Sequence, residues 1–458
     1  MQLYDSKAQE LAELKPIRAG QVGIYVCGPT VQSEPHIGHL RSALVYDLLS
    51  RWLTHKGLRV TLIRNITDID DKVLEKHTEE LSWWELAYKN ELEFQRQFDL
   101  LGIQRPSNEP RATGHIPEIL GLIQTLIDKG YAYRADNGDV YFDSEAWSDY
   151  GELTNQSPSD MEGETSSESK KSPTDFALWK AAKDSEPETA SWDSEFGRGR
   201  PGWHIECSAM AEKYLGSNFD IHGGGLDLRF PHHENELAQS RASGSKFANL
   251  WMHNGLVTVE GSKMSKSLGN SVFGADLLKT HSPAVLRYYL LSAHYRSVLD
   301  YQPGSLDEAS SALERIQGFV DRAQRKLRDS QYSIEKSLPD EFITAMDDDL
   351  NLPQALAVLH ETVREGNQSL DEQRLRDCAN NLGMVLAMME IIGIEPETAA
   401  AGEAMPALSA LVEQQIALRA EARDNKDFEM ADQIRNRLAE IGVILNDDAD
   451  GTSWSLDG

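Results

Sequence analysis

The sequence predicts an α/β fold: a doubly wound parallel sheet, split by an insertion and followed by an α-helical bundle and a small C-terminal α+β module. Three observations carry this expectation. An apolar β-rich run, Val22 to Val26, is followed after a loop by a helical pattern from Ile37 to Leu53, and a second run, Leu58 to Ile63, leads to a helix-compatible stretch near Asp70 to Lys76. Strand signals and glycines return between Gly202 and Phe230, so the chain re-enters the first sheet after an excursion. Beyond Ser305, apolar residues recur every three or four positions (Leu306, Ala309, Leu313, Ile316, Val320, Ala323 and Leu327), the period of an amphipathic helix.

The intervening segments follow in order. Residues 82 to 130 are helix-rich. Glu152 to Glu195 holds eleven acidic against four basic residues and a Ser-rich piece, Ser157 to Ser172, which predicts an exposed insertion with a mobile loop. Helical signals run on to Ile392, and the Pro/Ala/Gly-rich stretch Pro396 to Pro406 reads as a linker. The last piece predicts helices over Leu408 to Arg423 and around Phe428 to Ile441, then a short strand at Val443 to Leu445.

Composition narrows the function classes. At 458 residues the chain has room for two to four domains of roughly 100 to 200 residues each. Lys plus Arg is 45 and Asp plus Glu is 74, so the net charge is 45 − 74 = −29, which argues against a protein that coats nucleic acid electrostatically but allows a local basic face. No apolar run reaches the roughly 18 residues of a membrane span. The N-terminus carries Asp5, Glu10 and Glu13 where a secretory signal needs a basic start. Three scattered cysteines, Cys27, Cys207 and Cys378, predict free thiols and a cytoplasmic location rather than a disulfide framework.

Ligands of a parallel sheet gather at the carboxyl ends of its strands, here Cys27 to His39 and Asn65 to Asp71. His36-Ile37-Gly38-His39 opens the first helix, where orphan N–H donors and two imidazoles suit a phosphate chain and Gly38 lets a ligand approach the backbone. Alone, the motif is equally a pair of helix-capping histidines. Lys263-Met264-Ser265-Lys266-Ser267 forms a positive loop able to close on phosphates; alone, it is equally a solvated turn. Cys27, Cys207 and the run His232-His233-Glu234-Asn235-Glu236 supply thiols and an i, i+4 His/Glu pair that can converge on a tetrahedral Zn²⁺, although each cysteine on its own is more often a buried packing residue. Cys378 falls in a helical pattern with Leu375 and Leu382 and is expected to pack.

With these motifs a family resemblance emerges. Tyr25-Val26-Cys27-Gly28-Pro29-Thr30-Val31, the HIGH run, Asn65-Ile66-Thr67-Asp68-Ile69-Asp70-Asp71, Pro201-Gly202-Trp203-His204-Ile205-Glu206-Cys207-Ser208, His222-Gly223-Gly224-Gly225-Leu226-Asp227, the HHENE run and KMSKS resemble, in family order and over nearly the whole chain, a class I cysteinyl-tRNA synthetase. Gln32 and Ser33 depart from the aromatic-Asp pair usual after the first of these runs.

The resemblance implies a Rossmann-like catalytic domain whose first half is 1–112, a connective insertion over 113–202, a second half with the zinc site over 203–248, a KMSKS-bearing stem-contact region over 249–318, a helical anticodon-binding bundle over 319–400 and a C-terminal anticodon-recognition module over 401–458. It implies ATP-dependent attachment of L-cysteine to the tRNA for cysteine through a cysteinyl-adenylate, by a monomer with one Zn²⁺ and with Mg²⁺ accompanying ATP. Zinc ligands would be Cys27, Cys207, His232 and Glu236. His36, His39, Lys263 and Lys266 would act on the phosphates with Gly38 admitting adenosine, and Cys27, Thr67, Trp203, His222 and Asp227 would face the amino acid. Arg423, Phe428, Asp432 and Asp447 would face the anticodon. Further phosphate contacts are expected from Arg198, Arg200, Arg419, Lys426, Arg435 and Arg437. Three rival readings are an amino-sugar ligase that shares the zinc and ATP chemistry, which has no use for the C-terminal module, a non-catalytic RNA-binding relative, against which the intact HIGH and KMSKS runs argue, and a zinc protease, whose HExxH pattern HHENE does not match.

Overall fold

The structure, a computed structural model, describes residues 1–156, 169–264, 269–395, 399–425, 427–448 and 451–456. They divide into two compact units, Met1–Glu395 and Pro396–Gly458.

In the first unit, a hairpin of β1 (Gln2–Asp5) and β2 (Glu10–Glu13) precedes β3 (Gln21–Val26), α1 (Ile37–His55), β4 (Arg59–Arg64), α2 (Asp71–Leu74) and α3 (Trp83–Leu100). An insertion follows: α4 (Ile116–Asp128) and an antiparallel sheet of β5 (Ala132–Arg134), β6 (Val140–Phe142), β7 (Phe176–Ala181) and β8 (Gly199–Pro201). It has its own apolar core, centred on Ile119, Ile123, Phe142, Leu178 and Trp179. The chain then returns through α5 (Trp203–Leu215), β9 (Asn218–Gly225), α6 (Glu234–Ser243) and β10 (Phe247–Asn254).

The main sheet has the order β10-β9-β3-β4 with every pair parallel. From β3 the chain first moves to one side, through α1 to β4, and after the insertion returns to the other side as β9. The topological switch point therefore lies between β3 and β9, where a crevice opens at the strands' carboxyl ends. α1 is buried on more than one side: its apolar residues from Leu40 to Leu53 are spread round the helix rather than along one stripe, and Arg41, Asp47 and Ser50 are buried with them.

A second small sheet pairs β11 (Val257–Val259) antiparallel to β12 (Ser262–Lys263) and parallel to β13 (Leu299–Tyr301). Between them lie α7 (Gly274–Leu277) and α8 (Pro283–Leu291). The bundle α9 (Ser305–Leu327), α10 (Asp340–Asp347), α11 (Leu352–Asp371) and α12 (Leu375–Ile392) buries Ile316, Phe319, Phe342, Leu359, Leu382 and Met388. Cys378 lies inside it, fully buried, as expected.

The second unit consists of α13 (Ala399–Asp424), α14 (Phe428–Glu440) and a hairpin of β14 (Val443–Asp448) with β15 (Gly451–Leu456) around Val412, Ile434, Leu438 and Val443.

Two local expectations are corrected. Trp203–Leu215 is helix rather than strand: Gly202 and Gly216 bracket the segment instead of interrupting it, Gly216 ending it at φ 85°. The proposed linker is largely helical, because α13 already starts at Ala399, where an alanine run favours helix. The acidic loop expected to be mobile falls mostly on 157–168, outside the described residues.

Candidate active site and metal centre

A cleft of about 320 Å³ opens at the switch point. Its walls come from the end of β3 (Cys27 to Thr30), the start of α1 (His36, Gly38, His39), Trp203, the turn after β9 (Gly225, Asp227) and the segment Asn254 to Val257, with Lys263 and Met264 over it. The β3 end is held open by Asn65, whose Oδ1 accepts from Gly28 N at 2.9 Å. Gly28 is required there: a Cβ would lie 1.7 Å from the Asn65 carbonyl oxygen.

At the start of α1 the two histidines form a reciprocal cap. His36 Nδ1 accepts from Gly38 N at 3.1 Å and His39 Nδ1 accepts from His36 N at 3.2 Å, while the rings stack with centroids 3.6 Å apart. Each neutral ring therefore carries its proton on Nε2 and presents an N–H donor at the positive end of the helix. The capping and phosphate-binding readings are thus compatible. Burial pushes both imidazoles below their usual range; nearby Asp227 partly opposes this at His36, and His36 itself depresses His39 further.

Lys263 ends β12, and the chain beyond the KMSKS loop returns to the same place: Ile37 N donates to Val272 O at 3.0 Å and Gly274 N to Pro35 O at 3.2 Å. Met264 Cε stands 3.4 Å from where a Cβ on Gly38 would be. The HIGH turn and the flanks of KMSKS therefore face one another across the cleft. Lys266 lies outside the described residues.

Deeper in, Cys27, Cys207, His232 and Glu236 converge, each with one ligand atom within 4.8 Å of the others and all buried. Cys27 Sγ and Cys207 Sγ are 3.7 Å apart, too far for a disulfide and close to the roughly 3.8 Å edge of a tetrahedron of sulfurs at about 2.3 Å from zinc. Cys27 Sγ lies 3.2 Å and His232 Nε2 3.0 Å from Glu236 Oε1. This donor set of two sulfurs, an imidazole and a carboxylate fits Zn²⁺.

Electrostatics within the cluster favour ligation. Burial raises the Cys207 thiol, but hydrogen bonds from Cys27 and His232 bring it down to about 6. Burial also raises the Glu236 carboxyl, and His222 with His232 outweighs that and holds it well below the usual carboxylate range. Cys27, by contrast, is pushed up by burial and by its acidic neighbours, so it is the thiol that keeps a proton until a cation arrives.

Three of the five residues expected at the amino-acid pocket, Cys27, Trp203 and Asp227, line the cleft. Thr67 and His222 are buried behind it. His222 Nε2 lies 2.8 Å from Glu236 Oε2, which turns the other carboxylate oxygen towards the thiols. Thr67 Oγ1 donates to Glu206 Oε2 at 3.2 Å. Burial first, and the Cys207 charge next, push the Glu206 carboxyl well above its usual value.

The centre of the HHENE run has a different task. Glu234 accepts from the backbone N–H groups of Gly151, Leu153 and Thr154 at 2.9 to 3.0 Å, clamping the insertion to α6, and His233 Nδ1 is 2.8 Å from His253 Nε2. Arg200 and Arg419, expected as phosphate contacts, are 2% and 3% exposed. The Arg200 guanidinium is taken up by Asp71 and Glu186, so neither arginine offers a surface charge to RNA. Among the anticodon candidates, Arg423 and Asp432 are exposed on the helices of the second unit, Phe428 is 64% exposed, and Asp447 pairs with Thr452 in the hairpin. Asp432 is ion-paired to Arg435 at 3.3 Å.

Sequence reasoning missed His204, Glu206 and Asn65. His204 was within reach, since it lies three residues before Cys207 on the same helix and residues one turn apart share a face.

A split parallel sheet with a phosphate-suited helix start and a facing lysine hairpin is the architecture of a class I tRNA synthetase. Residues 13–311 match the family described as tRNA synthetases class I (C) catalytic domain, 341–394 the DALR domain and 405–454 the Cysteinyl-tRNA ligase anticodon binding domain. The chain is 55% identical over 483 residues to the cysteine--tRNA ligase of Clavibacter michiganensis subsp. michiganensis, covering 100% of this chain and 99% of that one, and 53% identical over 480 residues to that of Paenarthrobacter aurescens, with the same coverage. It belongs to the cysteine--tRNA ligase family. A Mycobacterium tuberculosis methionyl-tRNA synthetase in complex with methionyl-adenylate shares the fold, with a TM-score of 0.61 at 14% identity over 84% of this chain and 92% of that one.

Buried neutral histidines also tie stability to pH. Burial holds His39 well below 6.5 and His253 at about 3, so folding favours their uncharged forms. That contribution is complete above the unfolded value of about 6.5 and is lost as pH falls below it. The part of the unfolding free energy that these two histidines carry is expected to be full above about pH 7 and to decline below about pH 6.5. His39→Asn should flatten that decline in urea titrations; an unchanged slope would contradict the assignment.

Proposed function

We propose that the chain charges the tRNA for cysteine in two steps: the carboxylate of L-cysteine attacks the α-phosphate of ATP and expels pyrophosphate, and a terminal ribose hydroxyl of the tRNA then takes the cysteinyl group and releases AMP. Catalysis rests on positioning and on charge stabilisation. His36 and His39 offer Nε2–H donors to the phosphates at the α1 N-terminus, Gly38 leaves room for adenosine, and Lys263 and Lys266 neutralise the charge that develops as pyrophosphate departs. Mg²⁺ accompanies the ATP.

Cys27, Cys207, His232 and Glu236 would hold zinc. Bound there, zinc supplies a soft Lewis acid that accepts the substrate's thiolate far better than serine's hydroxyl. Trp203 and Asp227 enclose the amino acid beside the donor cluster, with Thr67 and His222 supporting from behind. The observation that carries this reading is that one cleft is lined both by the phosphate-suited start of α1 and by Cys27 of the donor cluster. Arg423, Phe428, Asp432 and Asp447 contact the anticodon, and the enzyme works in the cytoplasm as a monomer.

The test is cysteine-dependent ATP/pyrophosphate exchange together with transfer of labelled cysteine to tRNA. Exchange is expected to be lost on Lys266→Ala and on chelation of zinc; exchange that survives chelation with serine as active as cysteine would refute the selectivity model. A chain ending at Glu395 is expected to keep adenylate formation and to lose most tRNA charging. Equal charging by both lengths would remove the anticodon role from the second unit.

A further inference from the structure

His232 turns its Nε2 towards Glu236 Oε1, so its Nδ1 faces out of the donor cluster and stands 2.9 Å from Nδ1 of His204. His204 and His232 are 2% and 1% exposed, so water does not supply this contact. Trp203 stacks on His232 with centroids 4.1 Å apart and planes 30° apart, and Phe176 meets His204 edge-on at 5.5 Å. Both ring planes are thereby held in place.

Ligation through Nε2 uses that nitrogen's lone pair and leaves the ring proton on Nδ1. The only arrangement that makes the short Nδ1 to Nδ1 contact a hydrogen bond is then donation from His232 Nδ1–H to a lone pair on His204 Nδ1, with the proton of neutral His204 on Nε2.

We propose that His204 is a positioning residue for the metal centre: its Nδ1 accepts from His232 and fixes the tautomer and ring orientation in which His232 Nε2 can bind zinc. The inference rests on the zinc reading above. Metal-bound histidines commonly hand their second N–H to a carboxylate or a carbonyl. Here two thiolates and a carboxylate already face a divalent ion, and another anion behind His232 would repel the incoming substrate thiolate. A neutral imidazole does the same orienting without that charge.

The test is zinc affinity of the full chain, measured by competition with a chromophoric chelator, for the parent, His204→Asn and His204→Leu. Asparagine places an acceptor oxygen near the position of Nδ1; leucine has none. The parent is expected to bind one zinc, His204→Asn to bind within about threefold of it, and His204→Leu to bind about 10- to 100-fold more weakly. The KM for cysteine should rise in the leucine variant while the KM for ATP stays put, a split that general loosening of the fold would not produce. If His204→Leu fails to fold by circular dichroism, His204→Gln replaces it, since its polar atoms reach the Nε2 position instead, and it should bind as weakly. Leucine as tight as the parent, or asparagine as weak as leucine or glutamine, overturns the proposal and leaves the zinc reading intact. A parent chain that binds no zinc overturns both.

Discussion

Replacing Cys207 with serine is expected to collapse the preference for cysteine over serine as a substrate. Cys207 is the thiol held lowest in the cluster, at about 6, because Cys27 and His232 both hydrogen-bond it, and it is therefore already a thiolate at neutral pH. A hydroxyl in its place stays protonated and is a poor, hard ligand, so the donor set drops to one sulfur, one imidazole and one carboxylate. A pocket with a dedicated partner for the distinguishing group rejects an analogue by roughly 10⁴- to 10⁵-fold, whereas shape alone separates near-isosteres by roughly 10- to 200-fold. The ratio of kcat/KM values for cysteine and serine in pyrophosphate exchange should fall from the first range to the second. Cys378→Ala is the matched control, since Cys378 is buried in the helical bundle far along the chain from these motifs, and it should leave the ratio untouched. An unchanged ratio in Cys207→Ser would separate selectivity from the donor cluster.

The second large effect is on stability. Arg287 on α8 and Asp47 on α1 form an ion pair whose side chains are 1% and 0% exposed. The same guanidinium donates from Nε to Ile392 O at 2.7 Å and from Nη1 to Leu101 O at 2.9 Å, and so joins α1, the end of α3 and the end of the bundle. Gly393 makes room for it, because a Cβ there would stand 2.3 Å from Nη2. Arg287→Met keeps much of the volume but takes the buried partner from Asp47, leaving it only Arg51 and the Gln104 N–H, and removes the donor from the buried carbonyls of Ile392 and Leu101. The expected loss is about 3–5 kcal/mol, a large share of a typical total of about 5–15 kcal/mol. Urea unfolding of Arg287→Met, Asp47→Leu and the double variant checks it. The double variant should be clearly less destabilised than the sum of the two, because both single variants break the same ion pair. Strict additivity would mean that the two side chains act independently.

Much of this was legible because strong local signals coincide with the fold's demands. β3, α1 and β4 appear within two residues of their expected places, since a run of Val, Ile and Tyr ending at Cys-Gly and a long apolar helix are each hard to read otherwise. The errors fall where local signals compete. Gly202 and Gly216 suggested strand when they cap a helix, and Pro396 to Pro406 suggested a linker because two prolines outweighed the alanines between them. Arg200 and Arg419 illustrate a different limit: a basic side chain looks the same in sequence whether it faces RNA or is buried, and here Asp71 and Glu186 claim Arg200.

The sequence by itself determined the fold class and the family, and it singled out the four side chains that converge, Cys27, Cys207, His232 and Glu236, and the HIGH and KMSKS runs that flank the cleft, because each depends on residue types at characteristic places along the chain. Tertiary structure alone decided which atoms meet: that the HIGH rings cap their own helix through Nδ1, that His222 aims the Glu236 carboxylate, that His204 backs His232, and that Glu234 clamps the insertion. These contacts join residues as many as 83 positions apart, as for Glu234 and Gly151, and last-ångström geometry of that kind is set by packing between elements, which local periodicity does not encode.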